Sequence, residues 1–337
     1  MNHKTSEEVL HTAHEEVTYT RNGDITNCSQ QPSQICVPQE ILTRIMSYLI
    51  LEEMARCSQI SKPWLRALAG IQELNINIDF CNQSDAIAIF NFASKYFHNL
   101  SRINIRCVAP LESSSRMCDA FSDLLAGKSK YLKHFVYDAN FLSFPPVNLT
   151  NGLVQCLKDA TNLETLIIDH CMFASDHDIL LLLTNKPKLR KLKLCNLSTS
   201  HKANDGVAKY YCNIETFHEA IASFHQLQEL ELLLNCFVDH SPDKSAWSIL
   251  LKELRKLKIN YIDDTGLMEI ARSSLPHLQD LNLRYCHAIS IDRVIDVLHA
   301  CPSIHTLDVS SLQMEDDAHI KELSRVGNSL VNLTIKV

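Results

Sequence analysis

The chain has 337 residues, more than the roughly 250–300 at which a single hydrophobic core stops growing. It contains only 7 glycines, and none of them stand at the spacings of GxGxxG, GxxxxGK or GxSxG, which excludes the common phosphate-binding loops and nucleophile elbows. A net charge of −7 argues against nucleic acid or an anionic membrane as partner, and no apolar run is long enough to cross a bilayer.

Residues 1–35 are polar and acidic, with five carboxylate side chains against two basic ones. Such a segment buries too little apolar surface to offset the entropy of ordering, so we predict a disordered tail. It also lacks the apolar core of a signal peptide. The 13 cysteines are odd in number and never spaced CxxC, which indicates reduced thiols and a location in the cytoplasm, the nucleus or both.

The pattern of residues 36–70 predicts three short helices. Pro38 and Glu40 suit a first helical turn, and a second helix covers Leu51–Ser58, with a third beginning near Trp64. The first helix carries an apolar stripe at helical spacing, formed by Ile41, Leu42, Ile45, Met46 and Leu49. Because about 35 residues cannot bury so wide an apolar face, we expect a partner to cover it.

This segment resembles the F-box. The residues that carry the resemblance are Val37-Pro38, Glu40-Ile41-Leu42, Ile45, Tyr48-Leu49, Glu53, Arg56-Cys57, Ile60-Ser61-Lys62 and Trp64. Val37, Met46 and Ile60 depart from the family's usual residues but keep their bulk and apolar character.

The F-box resemblance implies docking on the Skp adaptor. The adaptor-binding positions are then Pro38, Ile41, Leu42, Ile45, Leu49, Cys57 and Ile60. Ile41 and Leu42 could each be internal over part of their surface, and Trp64 is either an internal core residue or a direct contact.

From residue 71 onward one motif recurs, with apolar residues at its positions 1, 4 and 6. Its ten copies start at Ile71, Leu100, Leu132, Leu163, Leu189, Leu227, Leu254, Leu278, Ile304 and Leu330. Positions 4 and 6 lie on one face of a strand, and amphipathic stretches separate the copies, at 153–160, 179–183, 267–271 and 291–298. A period near 26 residues predicts a leucine-rich-repeat solenoid of the α/β class, with parallel strands on its concave side and helices on its convex side.

Position 9 of the repeat is Cys171, Cys286 or Asn235 in three copies, which is similar to the cysteine-containing class of leucine-rich repeats. The interval between Leu189 and Leu227 is 38 residues, and the excess lies in 198–213. We expect a loop on one rim there. It is either a tolerated surface insertion or a loop that contacts a partner.

The predicted concave face carries charges that alternate in sign along positions 3 and 5. The candidate target-binding residues are Lys191, Lys193, Glu229, Glu231, Lys256, Lys258, Asp280, Asn282 and Arg284. The alternation indicates either a ladder of cross-strand ion pairs or a docking strip for a target of patterned charge. The neighbouring basic run, which includes Lys186, Lys188 and Arg190, is interpreted as a solvated rim balanced by Glu229 and Glu231 or as an acid-binding surface.

An F-box followed by such repeats resembles the F-box/leucine-rich-repeat family. The domains are then a tail (1–35), an F-box (36–70) and about ten repeats (71–337). The resemblance implies the substrate-recognition subunit of an SCF-type cullin ubiquitin ligase, which binds the Skp adaptor, a cullin through it, and a protein target. The alternative is a leucine-rich-repeat scaffold or inhibitor that acts without a ligase. We expect no enzyme activity, cofactor or metal, because no motif or ligand spacing supports them.

Overall fold

The structure is a computed structural model that describes most of the chain beyond the predicted tail. The described residues are 37–77, 83–107, 115–139, 150–173, 176–195, 197–202, 208–210, 224–233, 252–260, 262–310, 312, 317–326 and 330–335. The predicted disordered tail and Asn235 lie outside them.

Three short helices occupy the first part, α1 (Gln39–Met46), α2 (Leu51–Ser58) and α3 (Lys62–Leu68). The Pro38 carbonyl accepts the first N–H bonds of α1, and the Ile50 N–H at the start of α2 donates to the Glu53 carboxylate over 3.1 Å. The side chain of Thr43 in α1 donates to the Ala67 carbonyl in α3 over 3.3 Å. Helices α1 and α3 therefore pack against each other.

Thirteen strands follow in the described residues, and ten of them form one parallel sheet. In chain order they are β1 (Glu73–Asn77), β2 (Arg102–Cys107), β3 (His134–Ala139), β4 (Thr165–Asp169), β5 (Met172–Phe173), β6 (Lys191–Cys195), β7 (Ser198–Lys202), β8 (Ala208–Tyr210), β9 (Glu229–Leu233), β10 (Lys256–Ile259), β11 (Asp280–Asn282), β12 (Thr306–Asp308) and β13 (Asn332–Thr334). The large sheet runs β1-β2-β3-β4-β6-β9-β10-β11-β12-β13. Each of its strands begins two residues after the start of a sequence motif, so the ten predicted strands are confirmed.

One hydrogen-bond pattern joins every pair of neighbouring strands at their amino-terminal ends. The Lys133 carbonyl, for example, accepts the N–H of Glu164 over 2.7 Å and that of Thr165 over 3.0 Å. Position 2 of the repeat does the same at all nine junctions of the sheet. This rim of the sheet is therefore a fixed backbone frame.

Helices cover the other side of the described repeats. They are α4 (Gln83–Tyr96), α5 (Ser115–Leu125), α6 (Thr150–Leu157), α7 (Asp176–Leu183), α8 (Asp264–Ser273), α9 (Ile291–Ala300) and α10 (Asp317–Val326). The predicted amphipathic stretches 179–183, 267–271 and 291–298 fall in α7, α8 and α9, whereas 153–160 continues three residues beyond the end of α6. The described chain is thus an α/β solenoid of leucine-rich repeats. Among the described helices, none is both long enough and apolar enough to cross a membrane.

A continuous core fills the space between strands and helices and extends into the first three helices. The alternating residues of the strands point into it, as in the buried Leu74 and Ile76 of β1. Phe121 forms its aromatic centre in the early repeats, with ring centroids 5.5 Å from Phe90 and 6.4 Å from Phe135 in edge-to-face contact. Since no single repeat can bury its apolar face alone, stacking provides the stability.

The insertion at 198–213 differs from the loop that the sequence predicts. Strands β7 and β8 form an antiparallel hairpin in which Ser200 lies opposite Tyr210, and β7 also pairs in parallel with β5. The hairpin satisfies backbone N–H and C=O groups that an irregular loop would leave to water. Residues 203–207 and 211–213 lie outside the described part of the chain.

Candidate functional site

The first three helices concentrate exposed apolar side chains on one short segment. We call this set the helical patch: Val37, Ile41, Ile45, Tyr48, Ile50, Ile60 and Leu65. Ile41 is 50% exposed and Ile60 67%. In the rest of the described chain the large exposed hydrophobic residues are Tyr131, Tyr285 and Val331. An exposed apolar surface concentrated in this way is a candidate site of contact with a partner.

Helix α1 divides its apolar stripe between the core and the solvent. Leu42 and Met46, one turn apart, are buried at 3% and 0% exposure, whereas Ile41 and Ile45 lie on the outer side. Leu42, one of the predicted adaptor-binding positions, is enclosed in the core of the chain itself, which favours the internal role that the sequence left open for it.

The other predicted adaptor-binding positions fall into two groups. Pro38 and Ile60 are exposed, while Leu49 and Cys57 are half-buried and only partly accessible. Trp64 is half-buried against the core, which favours its interpretation as an internal residue.

The patch also contains four residues absent from the predicted adaptor-binding set, namely Val37, Tyr48, Ile50 and Leu65. Val37 and Tyr48 stand within the motif that carries the resemblance, which was the available signal. For Ile50 and Leu65 the sequence offers no signal of this kind.

The alternating charges of the solenoid lie side by side across the strands. In register, Lys191, Glu229, Lys256 and Asp280 form one row and Lys193, Glu231, Lys258 and Asn282 form a second. The Lys191 ammonium lies 2.6 Å from the Glu229 carboxylate, and that of Lys258 lies 2.8 Å from Glu231. Weaker pairs at 3.7 Å join Lys193 to Glu231 and Lys256 to Asp280.

The two rows therefore satisfy most of their own charge. Asn282 extends the second row by donating to the Asp308 carboxylate over 3.0 Å. Arg284 stands apart, with its guanidinium carbon 4.7 Å from the centre of the Tyr285 ring. This geometry favours the ion-pair ladder over a free docking strip. Each exposed pair contributes only about 0.2–1 kcal/mol.

The basic run before β6 is not the uniform solvated rim that the sequence suggested. Lys186 is 1% exposed, and its ammonium donates to the carbonyls of Lys158 (3.1 Å) and Thr184 (2.9 Å). Burial lowers the pKa of Lys186 to about 8, against an opposing effect of Asp159. Lys188 and Arg190 are exposed. The run is thus split between core and surface.

The described thiols with shifted pKa values are held in their neutral form. Burial raises the pKa of the Cys171 thiol to about 12, and it also raises the pKa values of Cys195 and Cys301. A nucleophilic cysteine needs the opposite shift. Cys286 is buried and donates to the Ile259 carbonyl over 3.3 Å.

The residues before Cys171 and Cys286 share one backbone conformation. His170 and Tyr285 have φ values of 55° and 68°, so the chain turns at position 8 of the repeat and the next side chain, Cys171 or Cys286, is directed into the core. His170 also places its Nδ1 2.8 Å from the Asp169 carboxylate. In the part of the chain that the structure describes, no three His, Cys, Asp or Glu side chains form a group that could hold a metal ion.

No family model matches the chain, and no curated protein matches it. Solved structures with a similar fold include the yeast Rad7–Elc1 complex, at 15% identity over 89% of this chain and 83% of that one, with a TM-score of 0.45. An internalin from Listeria monocytogenes matches at 16% identity over 85% and 89% of the chains, with a TM-score of 0.40. The mouse RP105/MD-1 complex matches at 16% identity over 81% and 43%, with a TM-score of 0.43. The assignment of the fold rests on the strand register and the repeats.

Proposed function

We propose that this chain is the substrate-recognition subunit of an SCF-type cullin ubiquitin ligase. The helical patch docks on the Skp adaptor, the adaptor connects the chain to a cullin, and the solenoid holds a protein target. The observation that carries the proposal is the patch itself, because it lies on the segment that resembles an F-box. In this role the chain brings a target to the ligase and performs no chemistry of its own.

The energetics of the patch favour a covered state. Fully burying an isoleucine side chain is worth about 1.5–3 kcal/mol relative to leaving it exposed. Ile41, Ile45 and Ile60 are each between 41% and 67% exposed, so a partner that covers all three gains a substantial part of this free energy. All three belong to the motif that carries the F-box resemblance.

The solenoid provides the second requirement, a broad surface for a protein. Its ten parallel strands place their outward side chains in straight rows. Backbone hydrogen bonds join the strands at every junction. Extended surfaces of this kind are what stacked repeats use to bind proteins. The nine concave residues named above remain candidates for target contact.

The test is binding of the full chain to purified Skp adaptor. Ile41→Asp combined with Ile45→Asp should weaken adaptor binding by at least about a hundredfold, because two charges would be buried in an apolar interface. The control is Val331→Asp, which charges a more exposed apolar residue in the last repeat and should leave adaptor binding unchanged. Isothermal titration calorimetry measures both, and circular dichroism checks the fold.

Two results would count against the proposal. Adaptor binding that survives the double substitution would remove the patch from the interface. A wild-type chain that binds no adaptor, and recovers no cullin when co-expressed with both proteins, would favour the scaffold or inhibitor that acts without a ligase.

A further inference from the structure

The amino-terminal ends of β3, β4 and β6 carry a cluster of cations that the ion-pair ladder does not include. We call it the basic rim and define it as Lys130, Lys133, Lys188, Arg190 and the aromatic residue Tyr131. Lys130 and Tyr131 precede β3, Lys133 is the residue before its first position, and Lys188 and Arg190 precede β6. All five side chains are exposed.

Hydrogen bonds join these residues into one surface across three repeats. The Lys188 ammonium donates to the Asn162 side-chain oxygen over 2.6 Å, and the Asn162 amide donates to the Lys130 carbonyl over 2.7 Å. The carbonyls of Lys133 and Arg190 each accept two N–H groups from the next strand. Since adjacent strands lie about 4.8 Å apart, the backbones of Lys133 and Arg190 are about 10 Å apart.

The four cations of the basic rim form no ion pairs among the described residues. None of them has a carboxylate within 4 Å there, in contrast to Lys191 and Lys258 on the adjoining concave face. Glu164, the residue between Lys133 and Arg190 in the rim, is half-buried and forms no ion pair with either, so four exposed cations stand beside one partly buried carboxylate. A basic strip with this excess of positive charge, on a chain of net charge −7, has the sign that attracts a negatively charged partner.

Tyr131 adds a second, independent feature. The residue is 65% exposed, and outside the first three helices Val331 is the one other large apolar residue of the described chain that is as open to solvent. Tyrosine and arginine are the residue types most enriched at the energetic centres of protein interfaces. Here an exposed aromatic ring and exposed cations coincide.

We propose that the basic rim binds an acidic segment of a protein target, with Asp or Glu carboxylates meeting its cations and an apolar part of the segment packing on Tyr131. This rests on the proposed function only in that the solenoid holds the target. In an extended peptide, alternate side chains lie about 6.6–6.8 Å apart. Carboxylates at every second or third residue can therefore reach cations spaced along the rim.

Two other ligand classes fit this surface less well. A single phosphate group requires donors that converge on one point, whereas these cations are divided between β3 and β6, with β4 between them. A nucleic acid is disfavoured because its dense backbone charge would be repelled by a chain of net charge −7.

The experiment measures fluorescence anisotropy with the full chain and a labelled peptide of about twelve residues, in which Glu alternates with Ser around one central Leu. The same peptide with Gln in place of Glu is the ligand control. Lys133→Glu combined with Arg190→Glu should weaken binding of the Glu peptide about tenfold or more, and Tyr131→Ala several-fold. Arg116→Glu combined with Lys321→Glu makes the same change in net charge at exposed positions of helices α5 and α10 and should shift affinity by less than about twofold.

Each remaining outcome overturns the inference. These outcomes are equal binding of the Gln peptide, unchanged affinity in the Lys133/Arg190 variant, and an equal loss in the Arg116/Lys321 variant. Tighter binding of a single-stranded oligonucleotide or a phosphopeptide to the same residues would assign the rim to that class instead. Adaptor binding, measured in parallel, should be the same for the Lys133/Arg190 variant and wild type. The peptide measurement therefore tests the basic rim, and the adaptor measurement tests the ligase role.

Discussion

The buried ammonium of Lys186 links two neighbouring repeats. It joins the Thr184 carbonyl of its own repeat to the Lys158 carbonyl of the preceding one. Other repeats make the same kind of link with an amide, as Asn99 does by donating to the Ala69 carbonyl over 2.9 Å. Lys128, also buried, donates to the Ser94 carbonyl over 3.3 Å. Burial lowers its pKa, opposed by Asp123.

Lys186 predicts an unusual dependence of stability on alkaline pH. Its pKa is about 8 in the folded protein against the ordinary 10.5, so between these values the unfolded chain binds more protons than the folded one. This residue therefore increases the free energy of unfolding as the pH rises from about 8 to 10.5. The increase is about 2–3 kcal/mol at pH near 10. Below about pH 8 both states are protonated and this contribution is constant.

The measurement compares urea unfolding of wild type and Lys186→Met at pH near 7.5 and near 10. The stability difference between them should shift in favour of wild type at the higher pH, since the neutral amine still donates to both carbonyls. Lys252→Met, which removes an exposed lysine, controls for the loss of a titrating group. A difference that does not change with pH would show that Lys186 keeps its ordinary pKa.

The sequence could not reveal the burial of Lys186. It stands in a run of alternating basic residues in which Lys191 and Lys193 were correctly expected to meet Glu229 and Glu231. Those partners follow from strand register, which the motif spacing predicts. The Lys158 carbonyl instead comes from the end of the previous repeat, 28 residues earlier, and depends on where helices α6 and α7 end.

At the scale of elements, the apolar stripe of helix α1 is divided between residues that are buried in the core and residues that are exposed to solvent. Spacing identifies the stripe, but residues 41 and 42 are only about 100° apart around the helix, so periodicity alone cannot say which one faces inward. The packing of α3 decides which of the two residues faces inward. Thr43 donates to the Ala67 carbonyl of α3, and Leu42 and Met46 lie in the same core.

This division predicts opposite effects for neighbouring substitutions. Leu42→Ala should destabilise the helical segment by about 2–5 kcal/mol, since it leaves a cavity in the core. Ile41→Ala should cost less than about 1 kcal/mol in stability, yet it should weaken adaptor binding. Trp64 fluorescence in a Trp247→Phe background reports local unfolding of the segment in urea.

Equal destabilisation by the two substitutions would mean that Ile41 is also a core residue. Loss of adaptor binding by Leu42→Ala under conditions where Trp64 still reports a folded segment would return Leu42 to the interface.

The hairpin in the insertion shows where sequence periodicity stops being informative. The ten repeat strands were predictable because each shows buried alternation at a recurring interval. Strand β7, with the sequence STSHK, has no apolar alternation and obtains its partners from β5 and β8. Because the pairing of β7 depends on β5 and β8, the sequence of β7 alone carries no pattern that predicts a strand.

For the whole molecule, stability depends on a strand's place in the stack. Interior strands pair on both sides, and in β10 the buried Leu257 lies in register between Leu230 and Leu281. Among the described strands, β13 pairs with β12 alone, and its Leu333 is only half-buried. In a solenoid each repeat gains its stability from its nearest neighbours, so a residue with two neighbours should contribute more than a residue with one.

We therefore expect Leu257→Ala to lower the free energy of unfolding by about 2–5 kcal/mol, and Leu333→Ala by less than about 1.5 kcal/mol. Both substitutions remove the same atoms from the same repeat position, so the contrast measures the second neighbour. Urea unfolding followed by far-ultraviolet circular dichroism gives both values. Equal losses would show that β13 is covered by a part of the protein outside the described residues, and a larger loss at Leu333 would contradict nearest-neighbour stacking as the source of stability.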